Sequence, residues 1–184
     1  MEIYFNKSLE IPKSVIAIGT FDGVHRGHQT VLHELVNMSK IENVPSVVYT
    51  FDPPPKSYFQ GVPVLTTLEE KISRIEQIGI DHLKVANFNE QYLKRSVDDF
   101  IEEIAKMNPL NIIVGNDFRF GHKRAGNVSL LSQYFKVTIM EPVCCKNGER
   151  ISSTRIRKLI QEGNMEQANL LLDWRHKDSE ILYT

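Results

Sequence analysis

The stretch Ser14-Val-Ile-Ala-Ile-Gly-Thr-Phe-Asp-Gly-Val-His-Arg-Gly-His28 decides the fold. Its first five residues form a short apolar, β-branched run of the kind a strand buried on both faces requires. A glycine-containing turn ends the run, and a helix-compatible stretch follows from about Gly27 to Lys40. Glycines allow a tight turn and close approach of a ligand, and the helix start beyond them offers free N–H groups and a positive dipole end. That is a natural phosphate site. His25 and His28, three apart at the helix start, can point toward it, and imidazoles can donate hydrogen bonds to phosphate oxygens. Neither GxxxxGK[ST] nor GxGxxG occurs, so a P-loop and a dinucleotide-binding fingerprint are both excluded. Zinc lacks a third ligand at suitable spacing.

Working outward, strand-like and helix-like segments alternate. Val44 to Phe51 reads as a second strand, and Pro53, Pro54 and Pro55 then force a loop. Thr67 to Ile78 is helical, opened by a Thr67–Glu70 capping box, with Leu68, Ile72, Ile75 and Ile78 on one face. His82 to Phe88 is a third strand. Ser96 to Met107 is a helix with Ser96 and Asp99 at cap spacing and Phe100, Ile101 and Ile104 as its buried stripe. Leu110 to Val114 and Lys136 to Met140 are the fourth and fifth strands, with a short helix, Asn127 to Tyr134, between them. Helices over about Ser153 to Glu162 and Met165 to Leu172 finish the chain. The expected fold is α/β, a Rossmann-like five-stranded parallel sheet with helices on both faces, forming a single domain over residues 1–184. Such sheets bind ligands beyond the carboxyl ends of their strands.

Composition narrows the function classes. The 22 basic and 23 acidic side chains balance, which argues against the basic face that nucleic acid needs. No apolar run approaches the ~20 residues that cross a bilayer, and the N-terminus lacks the form of a signal peptide. No membrane or nucleic-acid partner is expected, and a cytoplasmic location is expected. Cys144 and Cys145 are adjacent, so a disulfide between them would be strained; they read as small residues of a reduced protein.

A second constellation, Arg150-Ile-Ser-Ser-Thr-Arg-Ile-Arg157, also stands at a helix start. Ser153 or Thr154 can cap that helix and hold phosphate, and Arg157, one turn on from Ser153, can reach the same anion with a forked guanidinium. Arg155 faces elsewhere by helical spacing.

Four blocks, in order, carry a resemblance: Ile18 to Gln29, Thr50-Phe-Asp-Pro53, Gly115-Asn-Asp-Phe-Arg-Phe-Gly121 with Arg124-Ala-Gly126, and Ile151 to Arg157. Together they resemble the adenylyltransferase half of the prokaryotic bifunctional riboflavin kinase/FMN adenylyltransferase, or FAD synthetase, family. The resemblance implies a nucleotidyltransferase that joins FMN to the AMP part of ATP, with magnesium bridging the phosphates. No dedicated carboxylate cage is evident, and Asp22 and Asp117 are the nearest acidic groups. The resemblance implies ATP contacts from Gly19, Thr20, Phe21, Gly27, His25, His28, Arg150, Ser153, Thr154 and Arg157. His25, His28 and Arg157 take the catalytic roles. Phe51, Asp52, Asn116, Asp117 and Phe118 take the flavin side, where an aromatic beside an isoalloxazine makes physical sense.

Two departures stand out. The family's loop usually reads F-D-P-H-P, whereas Pro54 here replaces the histidine. Asp173-Trp-Arg-His-Lys177 replaces the usual lead into a C-terminal riboflavin kinase barrel. The kinase is therefore expected to be absent and FMN to come from a separate riboflavin kinase. Two other readings remain: a non-catalytic flavin- or nucleotide-binding regulatory paralogue, and a related nucleotidyltransferase with another acceptor.

Overall fold

The computed structural model describes residues 1–5 and 7–174. In chain order the elements are β1 (Glu2–Phe5), β2 (Ser14–Ile18), α1 (Arg26–Glu42), β3 (Ser46–Asp52), α2 (Pro55–Gln60), α3 (Leu68–Ile78), β4 (His82–Asn87), α4 (Glu90–Leu93), α5 (Val97–Ala105), β5 (Pro109–Gly115), β6 (Arg119–Phe120), β7 (Gly126–Asn127), α6 (Val128–Leu131), β8 (Val137–Met140), α7 (Ser153–Gln161) and α8 (Met165–Leu172).

The main sheet has six strands, not five, in the order β1-β4-β3-β2-β5-β8, and every neighbouring pair is parallel. The added strand is β1, at the edge against β4. It has only four residues and exposes Ile3 and Phe5, so no buried face marks it in sequence. β2 is buried along its whole length because both faces are covered. Val15 and Ala17 pack with Leu32 and Leu35 of α1 and Ile75 of α3. Ile16 and Ile18 face the other way, onto Phe100, Ile101 and Ile104 of α5. Ile151, Ile156, Ala168 and Leu171 form a smaller core around α7 and α8.

Two helices begin with the reciprocal capping boxes that their sequences announce, Thr67 with Glu70 and Ser96 with Asp99. Elsewhere the structure corrects the sequence reading. The proline run does not simply make a loop: Pro55 opens α2, a place where proline's missing N–H costs nothing. The expected helix over Asn127 to Tyr134 shortens to α6, with Asn127 as its cap. A β6–β7 hairpin occupies the Arg119–Asn127 region.

The chain runs from β2 outward through β3 and β4, then returns to place β5 on the other side of β2. That reversal opens a crevice at the carboxyl ends of β2 and β5, the place where open parallel sheets take ligands. The segments after β2, β3, β5 and β8 all converge there.

Candidate active site

The crevice is a cavity of about 750 Å³. Of the residues singled out in sequence, all but Asp52 line it: Gly19, Thr20, Phe21, His25, Gly27, His28, Phe51, Asn116, Asp117, Phe118, Arg150, Ser153, Thr154 and Arg157. Asp52 is the exception. It ends β3, its carbonyl accepting from the Phe88 N–H at 2.8 Å, and its carboxylate lies close enough to the buried Lys71 to favour that lysine's charge.

The turn after β2 is strained and firmly pinned. Phe21 and Val24 take left-handed φ of 50° and 40°, a region a β-branched residue such as Val24 rarely visits. The Val24 carbonyl accepts from Gln29 Nε2 at 2.9 Å and from Trp174 Nε1 at 2.8 Å. Arg74 donates to the Gly23 carbonyl at 2.9 Å, and the Gly23 N–H donates to Thr66 Oγ1 at 3.2 Å. Gly19 has no room for a side chain: a Cβ there would stand 2.9 Å from the Phe21 ring. The ring of Phe21 in turn meets that of His28 edge-on, with centroids 5.3 Å apart.

His25 caps α1, its Nδ1 accepting from the His28 N–H at 3.3 Å. That bond requires a lone pair on Nδ1, so the proton of the neutral ring belongs on Nε2. The two imidazoles stack, with centroids 3.6 Å apart and planes 16° from parallel. The His25 pKa is lowered to about 4, chiefly by desolvation and then by the nearby Arg150, against a backbone hydrogen bond that raises it. His28 is held well below the usual histidine range, chiefly by burial and then by His25 and Lys71. Both rings are therefore neutral at pH 7 and act as N–H donors. The Nδ1 of His28 is buried with no hydrogen-bond partner among the described residues.

At α7 the cap is Ser152, whose Oγ accepts from the Arg155 N–H at 3.3 Å; it is neither Ser153 nor Thr154, the two residues the sequence suggests. Ser153 Oγ instead donates to the Asp22 carbonyl at 3.0 Å, tying α7 to the histidine turn. Arg157 is buried. Its Nη2 pairs with Asp22 Oδ2 and its Nε donates to the Pro63 carbonyl at 2.7 Å. The other Asp22 oxygen accepts from the Leu65 N–H at 2.9 Å. Asp22 is thus fully engaged in fixing the guanidinium. Arg155, as expected, turns away, pairing with Glu149 at 2.5 Å and reaching Cys145 Sγ at 3.3 Å. Its hydrogen bond holds the Cys145 thiol below its ordinary range.

The opposite wall is aromatic. Phe118 lies over the buried Phe120 with ring centroids 5.6 Å apart, and Phe120 packs on Phe100 at 4.7 Å. Phe120 therefore belongs to the core and supports Phe118. Phe51 meets Phe88 and Tyr92 edge-on at 6.0 and 5.7 Å. Beneath them lies a polar group that no local pattern announces: Glu103 accepts from Tyr49 at 2.9 Å and from Arg95 at 2.5 Å. It fixes Arg95 at the cavity wall, where the guanidinium also covers the Tyr92 ring at 5.2 Å. Lys71 was missed too. It is a fully buried lysine on the apolar face of α3, its Nζ donating to the Phe51 carbonyl at 3.0 Å. Asp117 sits 3.6 Å from Arg150. Among the described residues, no cluster of three or more metal-ligating side chains exists, and no helix is long and apolar enough to cross a membrane.

A parallel sheet with two polar helix starts and a histidine pair at its carboxyl edge places the chain among nucleotidyltransferase-like α/β proteins. The family model for FAD synthetase matches residues 7–155. The chain belongs to that family.

A relative from Geobacillus thermodenitrificans, provisionally named a bifunctional riboflavin kinase/FMN adenylyltransferase, is 53% identical, over 92% of this chain and 94% of its own length. A bifunctional riboflavin kinase/FMN adenylyltransferase from Buchnera aphidicola (subsp. Schizaphis graminum) is 41% identical, over 86% of this chain and 54% of its own. The chain thus spans nearly all of the first relative and about half of the second. Among solved structures, one described as a macrolide-efflux protein from Streptococcus pneumoniae superposes with a TM-score of 0.82 at 29% identity, over 94% of this chain and 62% of that one. A pantothenate synthetase from Thermus thermophilus shares the fold, with a TM-score of 0.51 at 17% identity, over 89% of this chain and 76% of that one.

Proposed function

We propose that this protein is an FMN adenylyltransferase, making FAD and pyrophosphate from ATP and FMN. The observation that carries the reading is the joining, in one cavity, of the histidine pair, the α7 start and the aromatic wall around Phe51 and Phe118. The first two suit a polyphosphate and the third suits a flat ring system.

A phosphate monoester is already an anion at neutral pH, so no side-chain nucleophile is needed. An FMN phosphate oxygen bonds to the α-phosphorus as the bond to the bridging oxygen of the β-phosphate breaks, and pyrophosphate leaves. Catalysis then consists of holding two anions in line and offsetting charge at the reacting phosphorus. His28 donates to the α-phosphate from a preorganised position, with His25 behind it. Arg157, fixed by Asp22, keeps its Nη1 for the leaving pyrophosphate, with Arg150, Ser153 and Thr154 beside it. Gly19, Thr20, Phe21 and Gly27 form the floor, and Phe51, Asn116, Asp117 and Phe118 hold the flavin.

Magnesium, when bound, would neutralise phosphate charge. It would be carried mainly by phosphates and water, because Asp22 is taken by Arg157 and Asp117 is paired with Arg150. The test is to incubate the protein with FMN, ATP and Mg²⁺ and follow FAD by chromatography, with riboflavin replacing FMN in a parallel reaction. FAD from FMN supports the proposal. ATP binding with no FAD formed would favour the regulatory paralogue or another acceptor.

A further inference from the structure

The cations around the α7 start differ in what they already hold. Arg157 is paired with Asp22, Arg155 with Glu149, and Arg150 with Asp117. Each must share or surrender a carboxylate to meet an incoming anion. Lys56, in the first turn of α2, forms no ion pair among the described residues. It lines the cavity, and its Nζ donates to the Thr154 hydroxyl at 2.7 Å. An ammonium resting on a neutral hydroxyl keeps two further N–H donors and its whole charge available. The contact also bridges two segments 98 residues apart, α2 after β3 and α7 near the end of the chain. Pro54, two residues earlier, is buried at the cavity wall and brings no donor. Lys56 is thus the cation that α2 contributes to this end of the cavity.

We propose that Lys56 is a ligand of the outer phosphates of ATP and of the pyrophosphate product, closing the cavity from the α2 side over Thr154. This rests on the assignment of the α7 start to the nucleotide's outer phosphates. The contact is charge-assisted but solvent-accessible, so its loss weakens binding without abolishing it.

The experiment uses inorganic pyrophosphate as the probe, titrated by calorimetry into the wild-type protein and the Lys56→Met and Lys56→Arg variants. Because Lys56 is exposed, melting temperatures should agree within about 2 °C, which serves as the folding control. Lys56→Met should weaken pyrophosphate binding ~10-fold and raise the KM for ATP by a similar factor, leaving the KM for FMN unchanged; Lys56→Arg should restore most of both. Pyrophosphate binding equal in the wild-type and Lys56→Met proteins would overturn the role of Lys56 while leaving the nucleotide site standing. Failure of the wild-type protein to bind pyrophosphate at all would overturn both.

Discussion

Replacing Asp22 by Asn removes one charge from a pair buried almost completely, the side chains of Arg157 and Asp22 being 9% and 2% exposed. The amide can still accept from the Leu65 N–H but leaves the guanidinium without a counter-charge. Breaking a buried pair from one side costs about 3–5 kcal/mol. In a protein of this size each kcal/mol lowers the melting temperature by about 2–4 °C, so Asp22→Asn should melt roughly 10 °C lower without ligand. Arg157→Met should do the same, since it strands the carboxylate. The double variant should be far more stable than the sum of the two losses implies, with a coupling of about 2 kcal/mol or more. Thermal denaturation of all four proteins in one buffer measures it. A melting shift under 2 °C for Asp22→Asn, or additive losses in the double variant, would refute the claim that Asp22 fixes Arg157.

Other expectations follow from the same geometry. His28→Ala should lower turnover ~100-fold or more, as loss of a preorganised donor does; near-normal turnover from a folded variant would remove that role. His25 is lowered from the ordinary 6.5 to about 4, so the unfolded chain takes up its proton first. Its contribution to stability is complete above about pH 6.5 and is lost as pH falls toward 4. A His25→Gln variant should show a shallower fall in melting temperature across that window, and an unchanged slope would contradict the assignment. A Cβ at Gly126 would meet the Phe120 ring at 2.6 Å. Gly126→Ala should therefore displace the ring beneath Phe118 and raise the KM for FMN more than that for ATP.

Much of this was legible because local patterns carried it. The β2 run, the α3 and α5 capping boxes and the helix starts at His25 and Ser153 are decided within a few residues. What escaped depends on distance or on burial of the wrong kind of side chain. Asp22 and Arg157 are 135 residues apart, and nothing in either neighbourhood announces the pair. Lys71 occupies a position whose helical periodicity asks for an apolar side chain, and the Phe51 carbonyl it donates to, with the carboxylates of Asp52 and Asp22 nearby, explains the amine. β1 lacks a buried apolar stripe because Ile3 and Phe5 lie exposed at an edge and only Tyr4 packs inward. Asp52 shares the T-F-D-P block with Phe51 but falls on the other side of the backbone's end. Of the stretch 173–177, only Asp173 and Trp174 lie among the described residues, and Trp174 is used to pin the histidine turn.

In the proposed reaction the AMP unit of ATP, and no other part of it, moves to FMN. Parallel single-turnover reactions with α-labelled and γ-labelled ATP test it directly. The α label should appear in FAD and the γ label entirely in pyrophosphate. A γ label on the flavin product, or ADP as the nucleotide product, would contradict it.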